Sequence, residues 1–171
     1  MFLLFLSLLI IQRVSELILA GRNERAVREM GALEYDGKGY RTIVFMHIAF
    51  FVSLEAEYFL LNRTLNTYWP QLITVFLIAQ ALRYWAIASL GKFWNTKVLV
   101  VPGAPAVKKG PYRYMKHPNY IAVAVEIAVV PLIFSCYITC VIFSVLNLLA
   151  LRRRIRIEES ALYGVPQDGK R

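Results

Sequence analysis

Long apolar runs separated by short polar segments dominate the chain. Five of these runs come close to the roughly 20 apolar residues that carry a helix across a bilayer. They occupy residues 1–20, 41–61, 70–90, 118–134 and 136–151. The alternating polarity of a membrane β-barrel is absent, whereas a helix satisfies its own backbone inside lipid. The pattern predicts an all-α integral membrane protein of about five transmembrane helices, in one domain over residues 1–171.

The two ends of this series need separate interpretation. The first run, MFLLFLSLLIIQRVSELILAG, has no basic residues before its apolar core and is interrupted by Gln12, Arg13 and Glu16. We therefore interpret it as a retained helix and not as a signal peptide. Only a short segment near Pro131 separates the last two runs. This spacing predicts a tight helical hairpin.

Composition and charge narrow the class of protein further. Apolar residues make up 58% of the chain and the net charge is +9, and the apolar fraction is too high for a protein with an entirely water-facing surface. The cations flank the apolar runs, which favours membrane orientation and contact with anionic lipids, and argues against nucleic acid as a partner.

The cations also predict a topology. Counted outside the spans, Lys and Arg number 5 in 21–41, 1 in 62–69, 6 in 91–117, 0 in 131–136 and 6 from 152 onward. Cytoplasmic loops of membrane proteins carry the excess of Lys and Arg. We expect a multi-pass protein with its N-terminus outside and with 21–41, 91–117 and the C-terminus in the cytosol.

The long loop 91–117 ends in the stretch GPYRYMKHPNY, residues 110–120. Earlier in the loop, two β-prone runs flank PGAP and predict a small hairpin. Pro118 suits the first turn of a helix, whose free N–H groups and positive dipole end favour an anion, such as the carboxylate of an amino-acid-like ligand. His117 and Tyr120 would flank that ligand. The alternative is an ordinary interfacial helix start with a belt of tyrosines.

A second polar segment, RRRIRIEESALY, follows the last span at 152–163. Arg154 and Glu158 are four residues apart and share a helix face, so one cation and one carboxylate could face the same pocket. Such a pair suits a zwitterionic ligand or a ribose. The alternative is a stop-transfer cluster that continues as an amphipathic surface helix.

Ionisable residues within the spans are expensive in lipid and therefore candidate functional groups. These carboxylates are Glu16, Glu55, Glu57 and Glu126. Glu126 follows the HPNY segment by about two helical turns, so it could face the same cavity. We expect Glu16 to pair with Arg13 or Arg83, and His47 to be an interhelical hydrogen-bond partner. Cys136 and Cys140 match no metal spacing, and no metal site is expected.

Soluble nucleotide-binding and hydrolase motifs are absent, but two segments together carry a resemblance. The run GKFWNTKVLVVPGAPAVKKGPYRYMKHPNYIAVAVEIAVVP, followed by RIRIEESAL, resembles the isoprenylcysteine carboxyl methyltransferase family of integral membrane methyltransferases. The family pattern is a G-x-Y, an R-H-P-x-Y at a helix start and a glutamate pair after the last span. Lys116 stands where the family usually has Arg. The early segment RNERAVREMGALEYDGKGY is similar to the small bacterial branch.

The resemblance implies S-adenosyl-L-methionine as cofactor, bound between the cytosolic loop and the C-terminal segment. The residues that match the family's cofactor-contacting positions are Gly110, Tyr112, His117, Pro118, Tyr120, Glu158 and Glu159. Either glutamate would bind the ribose or the amino group. Arg154 with Glu158 would lie beside the transferred methyl group, and Arg113 would help Arg154 hold the acceptor oxygen.

The implied activity is O-methylation of an acidic oxygen on a lipophilic acceptor in the bacterial plasma membrane, with S-adenosylhomocysteine as product. The acceptor would be a prenylated cysteine or an alkylpyrone made by a type III polyketide synthase. Such an acceptor is already ionised and needs no general base. The alternatives are phospholipid N-methylation, a small proton-coupled exporter that uses Glu16, or a structural membrane subunit.

Overall fold

Five α-helices form the bulk of the computed structural model, which describes residues 1–105 and 107–163. The helices are α1 (Phe2–Glu29), α2 (Gly37–Leu60), α3 (Trp69–Leu90), α4 (Pro118–Ile133) and α5 (Tyr137–Tyr163). Two short strands, β1 (Leu33–Tyr35) and β2 (Val98–Val100), and two 3₁₀ turns, Gly91–Phe93 and Gly110–Arg113, complete the fold. The single domain predicted for 1–171 includes residues 106 and 164–171, which lie outside the described residues.

The helices have the length and surface of a membrane bundle. Among the described residues, α1, α2 and the stretch Trp69–Phe93 are long and apolar enough to cross a membrane, and α4 is a shorter apolar helix. Large apolar side chains such as Leu4, Ile11 and Phe45 are 66%, 61% and 69% exposed. A surface of this kind suits contact with lipid tails. The all-α membrane class predicted from the sequence is confirmed.

Helix α5 differs from the prediction, because the fifth apolar run and the segment 152–163 form one continuous helix. No Gly or Pro interrupts residues 137–163, and arginine is a good helix former. The carboxylate of Glu57 accepts hydrogen bonds from the backbone N–H groups of Ile138 (3.2 Å) and Thr139 (2.7 Å). Glu57 therefore caps the N-terminus of α5, where free N–H groups favour a negative charge.

The predicted hairpin between α4 and α5 is present. Ser135 has φ +56°, and the Cys136 N–H donates to the Pro131 carbonyl at 2.9 Å. Beside this turn, the Phe2 ring stacks on Tyr58 with centroids 3.8 Å apart and meets Phe134 edge-on at 4.9 Å. This aromatic cluster closes the end of the bundle opposite to the loop 91–117.

The two strands correct the predicted hairpin within the loop 91–117. β2 pairs in antiparallel register with β1, from the α1–α2 connection, with Leu33 opposite Val100. Ion pairs hold this sheet, since the Lys97 Nζ lies 2.8 Å from Glu24 on α1, and Arg28 contacts Glu34. The loop is thus attached to the end of α1, a long-range pairing that local β-propensity does not reveal.

Candidate active site

A cavity of about 640 Å³ lies between the loop 91–117, the start of α4 and the end of α5. Small-molecule sites commonly have volumes of about 300–1,000 Å³. Its polar lining consists of Asn95, Lys108, Tyr112, Arg113, Lys116, His117, Asn119, Tyr120, Glu158 and Glu159. The remaining wall is apolar and includes Leu90, Phe93, Leu99 and Leu162. The two polar segments singled out in the sequence therefore face one cavity.

The first turn of α4 presents two stacked rings to this cavity. His117 is the N-cap residue and Pro118 occupies the first helical position, where its missing N–H costs nothing. The His117 and Tyr120 rings are stacked, with centroids 5.2 Å apart and planes inclined by 13°. Pro118 is fully buried and does not line the cavity. It therefore fixes the start of α4, and the adjacent residues His117 and Tyr120 line the cavity.

A hydrogen-bonded chain joins α4 to α5. The Arg154 Nε donates to the Tyr120 hydroxyl at 2.8 Å, and that hydroxyl donates to Glu158. The Arg154 Nη2 also donates to the Thr96 carbonyl at 2.6 Å. Arg154 and Glu158 share a helix face, as their spacing requires. Arg154 is only 8% exposed and lies behind the cavity wall, so it braces Tyr120 and Thr96.

The α5 carboxylates give the cavity a negative side, balanced by cations at the loop. Lys116 Nζ lies 3.3 Å from Glu159, and this hydrogen bond and charge hold the pKa of the Glu159 carboxyl below its ordinary value. His117 Nε2 lies 3.5 Å from the same carboxylate. Burial, with the Glu158 charge, raises the pKa of the Tyr112 phenol. Tyr112 therefore stays protonated near neutral pH and remains a hydrogen-bond donor.

Gly110, one of the residues that match the family's cofactor-contacting positions, lies against α3 and does not line the cavity. Its φ is +54°, and a Cβ there would lie 2.0 Å from the Ser89 Oγ and 2.9 Å from the Trp85 Nε1. Glycine is required because the loop approaches α3 this closely in a left-handed conformation. Arg113, three residues on, does line the cavity.

Glu126 does not face the cavity, so that prediction is wrong. Its carboxylate accepts from Arg83 Nη2 at 2.5 Å and from Gln80 Nε2 at 3.1 Å, and it contacts Arg13. Glu16 lies 2.6 Å from Arg13 and 3.1 Å from Arg83, as predicted for that residue. A buried, charge-balanced network therefore joins α1, α3 and α4. Glu126 points into this network because the two arginines neutralise it there.

His47 also differs from its predicted role. Its Nδ1 bonds the Ile43 carbonyl of its own helix at 2.8 Å, whereas the predicted partner lies on another helix. Glu55, the remaining carboxylate within a span, is exposed. Neither residue belongs to the cavity described above.

Sequence reasoning missed three cavity residues, Trp94, Asn95 and Asn119. Among the described residues, Trp94 Nε1, Asn95 Nδ2 and Asn119 Oδ1 are buried and lack a hydrogen-bond partner. A buried polar atom without a partner is unfavourable and unusual in a folded protein. The signal for Trp94 and Asn95 was available in the adjacent pair W-N of GKFWNT, although nothing local showed that it faces the HPNY segment, which contains Asn119.

Comparison with known proteins identifies a family whose match covers the segments that line the cavity. The Isoprenylcysteine carboxyl methyltransferase (ICMT) family model matches residues 72–164, which include the whole of the cavity lining. The uncharacterized protein YpbQ of Bacillus subtilis (strain 168) is 48% identical over 162 residues, covering 95% of this chain and 96% of that protein. An uncharacterized protein of Haemophilus influenzae is 26% identical over 151 residues, covering 88% of each. No solved structure matches the chain.

Proposed function

Because this chain belongs to the isoprenylcysteine carboxyl methyltransferase family of membrane methyltransferases, we propose that it uses S-adenosyl-L-methionine to methylate an acidic oxygen of a lipophilic acceptor. The observation that carries the proposal is one cavity of about 640 Å³ shared by the α4 start and the α5 glutamates. The acceptor classes that fit are a carboxylate, as in a prenylated cysteine, and an enolic hydroxyl, as in an alkylpyrone from a type III polyketide synthase.

The residues present fit this cofactor. Asn119 lies on the cavity wall and its buried Oδ1 lacks a hydrogen-bond partner, which a ligand would supply. Glu158 and Glu159 would accept hydrogen bonds from an amino group or a ribose, and the stacked His117 and Tyr120 rings would pack against the ligand. Tyr112, held protonated, would donate a hydrogen bond.

When bound, the cofactor would supply a methyl group carried on a sulfonium for transfer to the acceptor oxygen, and S-adenosylhomocysteine would leave as the neutral thioether. An anionic acceptor becomes a neutral ester or ether, so no proton has to be removed. The chain's contribution would be alignment and exclusion of water. Arg154 serves this by fixing Tyr120 and Thr96, and Arg113 would attract the acceptor's negative charge.

The proposal includes a location. Loop 91–117 and the 152–163 end of α5 meet at the cavity, and these are cation-rich segments. Positively charged segments favour the cytosolic side of the membrane. The cavity would therefore take S-adenosyl-L-methionine from the cytosol. We therefore propose a bacterial plasma membrane protein with its N-terminus outside, and an acceptor that reaches the cavity from the bilayer.

Binding of S-adenosylhomocysteine to the purified protein tests the proposal. We expect saturable binding by calorimetry, about tenfold or more weaker in Glu158→Gln, because a hydrogen bond to a charged group is lost. Glu55→Gln, at an exposed position outside the cavity, is the matched control. Labelled cofactor added to membranes should yield labelled methyl esters, which base cleaves, or labelled enol ethers, which base leaves intact. Absence of saturable binding, or a labelled product consisting of methylated amines, would contradict the proposal.

A further inference from the structure

The segment Trp94–Thr96 is held from two sides beside the cavity. On one side, the Asn23 Nδ2 of α1 donates to the carbonyls of Gly91 (3.1 Å) and Trp94 (2.8 Å). On the other, the Arg154 Nη2 of α5 donates to the Thr96 carbonyl at 2.6 Å. The backbone N–H of Trp94 donates to the Gly91 carbonyl at 3.0 Å. Three elements therefore fix the position of a segment that contains no regular secondary structure.

Two buried hydrogen-bond donors belong to this fixed segment. Trp94 and Asn95 both line the cavity, and within the described residues neither the indole Nε1 nor the amide Nδ2 has a hydrogen-bond partner. Trp94 is only 3% exposed, so water does not readily satisfy its N–H. Indole N–H is a donor only. The arrangement suits a ligand atom that accepts two hydrogen bonds, placed where the wall is otherwise apolar.

The surroundings define the charge of that ligand atom. Arg154 donates to the Thr96 carbonyl of this segment, and Arg113 lines the same cavity. The carboxylates of the cavity, Glu158 and Glu159, are engaged instead by Tyr120 and Lys116. Donors and cations together stabilise an anionic oxygen and disfavour an ammonium group or an amine that must donate. The neighbouring side chains Leu90, Phe93 and Leu99 are apolar, which matches a lipophilic group attached to the oxygen.

We propose that Trp94 Nε1 and Asn95 Nδ2 bind the ionised oxygen of the methyl acceptor and thereby select an oxygen acid over an amine. This inference rests on the proposed function, and names its acceptor subsite. Arg154 is then a positioning residue, since its Nε and Nη2 are committed to Tyr120 and to the Thr96 carbonyl. The backbone that carries these donors is already held in place, which limits the rearrangement that binding of the anion requires.

Indole resonances test the proposal directly, because the chain contains three tryptophans. Protein with ¹⁵N-labelled indoles in phosphatidylcholine nanodiscs is titrated at pH 8 with laurate, methyl laurate or dodecylamine. Trp69→Phe and Trp94→Phe assign the peaks. We expect laurate to shift the Trp94 indole resonance saturably, and the uncharged ester and the amine to leave it in place.

Asn95→Asp supplies the second measurement, since it preserves size but replaces the amide with a carboxylate. We expect laurate binding to weaken about tenfold or more, the effect of losing a hydrogen bond to a charged group. Asn62→Asp, at an exposed position outside this cavity, should bind laurate as the wild type does. Saturable S-adenosylhomocysteine binding by Asn95→Asp shows that the variant is folded.

The inference is overturned if laurate leaves the Trp94 resonance unchanged, if Asn95→Asp binds laurate as well as the wild type, or if dodecylamine shifts the resonance more than laurate does. Failure of the proposed function has a different signature. In that case the wild type would not bind S-adenosylhomocysteine, while the laurate response would still depend on Asn95.

Discussion

Substitution of Glu126 by methionine tests whether the buried network stabilises the bundle. The network contains two arginines, Arg13 and Arg83, and two glutamates, Glu16 and Glu126, so its formal charges cancel. The side chains of Arg83 and Glu126 are 2% and 5% exposed, and Arg83 Nη2 lies 2.5 Å from Glu126. Glu126→Met would leave one buried positive charge without its partner, because arginine cannot release its proton in a protein.

The expected loss is about 3–5 kcal/mol, the usual cost of removing one partner from a buried ion pair. At about 1.4 kcal/mol per factor of ten, that lowers the folding equilibrium constant by roughly a hundredfold or more. The double substitution Arg83→Met/Glu126→Met should be more stable than Glu126→Met alone. It removes both charges and leaves Arg13 paired with Glu16 at 2.6 Å, and well-packed apolar residues often replace a buried pair without loss.

Denaturant titration of the wild type, both single variants and the double variant in lipid–detergent bicelles measures this coupling as a double-mutant cycle. S-adenosylhomocysteine binding by the double variant gives an independent readout, and we expect it to be retained because Glu126 lies outside the cavity. A Glu126→Met protein as stable as the wild type, or a double variant whose loss equals the sum of the single losses, would refute the reasoning.

Two further predictions concern the loop 91–117. Gly110→Ala should destabilise the protein by about 1–3 kcal/mol, since it combines a left-handed backbone with a Cβ 2.0 Å from Ser89 Oγ; an unchanged melting temperature would contradict this. The Lys116–Glu159 pair lowers the Glu159 pKa from about 4.5, so its stabilisation is complete above that pH and disappears as pH falls through the lower folded-state pKa. The difference in melting temperature between wild type and Lys116→Met should therefore shrink between pH 6 and pH 3, which are ~1.5 units either side of the ordinary value of 4.5. A constant difference would argue against the pair.

The sequence pattern was sufficient for the helices because their cause is local. Apolar length determines whether a segment can cross a bilayer, and the predicted spans agree with α1 to α4 to within a few residues, apart from the extension of α1 to Glu29. Pro118 predicted the start of α4 because proline is tolerated in a first helical turn. The spacing of Arg154 and Glu158 predicted a common helix face. That these two segments meet across Tyr120 followed from topology, since both lie at the same end of the bundle.

Other features depended on which surfaces meet in three dimensions. Residue spacing places Glu126 two turns from Pro118 but leaves open whether its side chain turns toward the cavity or toward Arg83, and neighbouring helices decide that. The pairing of β1 with β2 joins segments more than sixty residues apart along the chain. Trp94 and Asn95 became candidate ligands for an acceptor oxygen only because Asn23 and Arg154, from opposite ends of the chain, hold their backbone against the cavity. Hydrophobic length is a property of one segment, whereas the direction of a buried polar side chain is set by the partner that satisfies it.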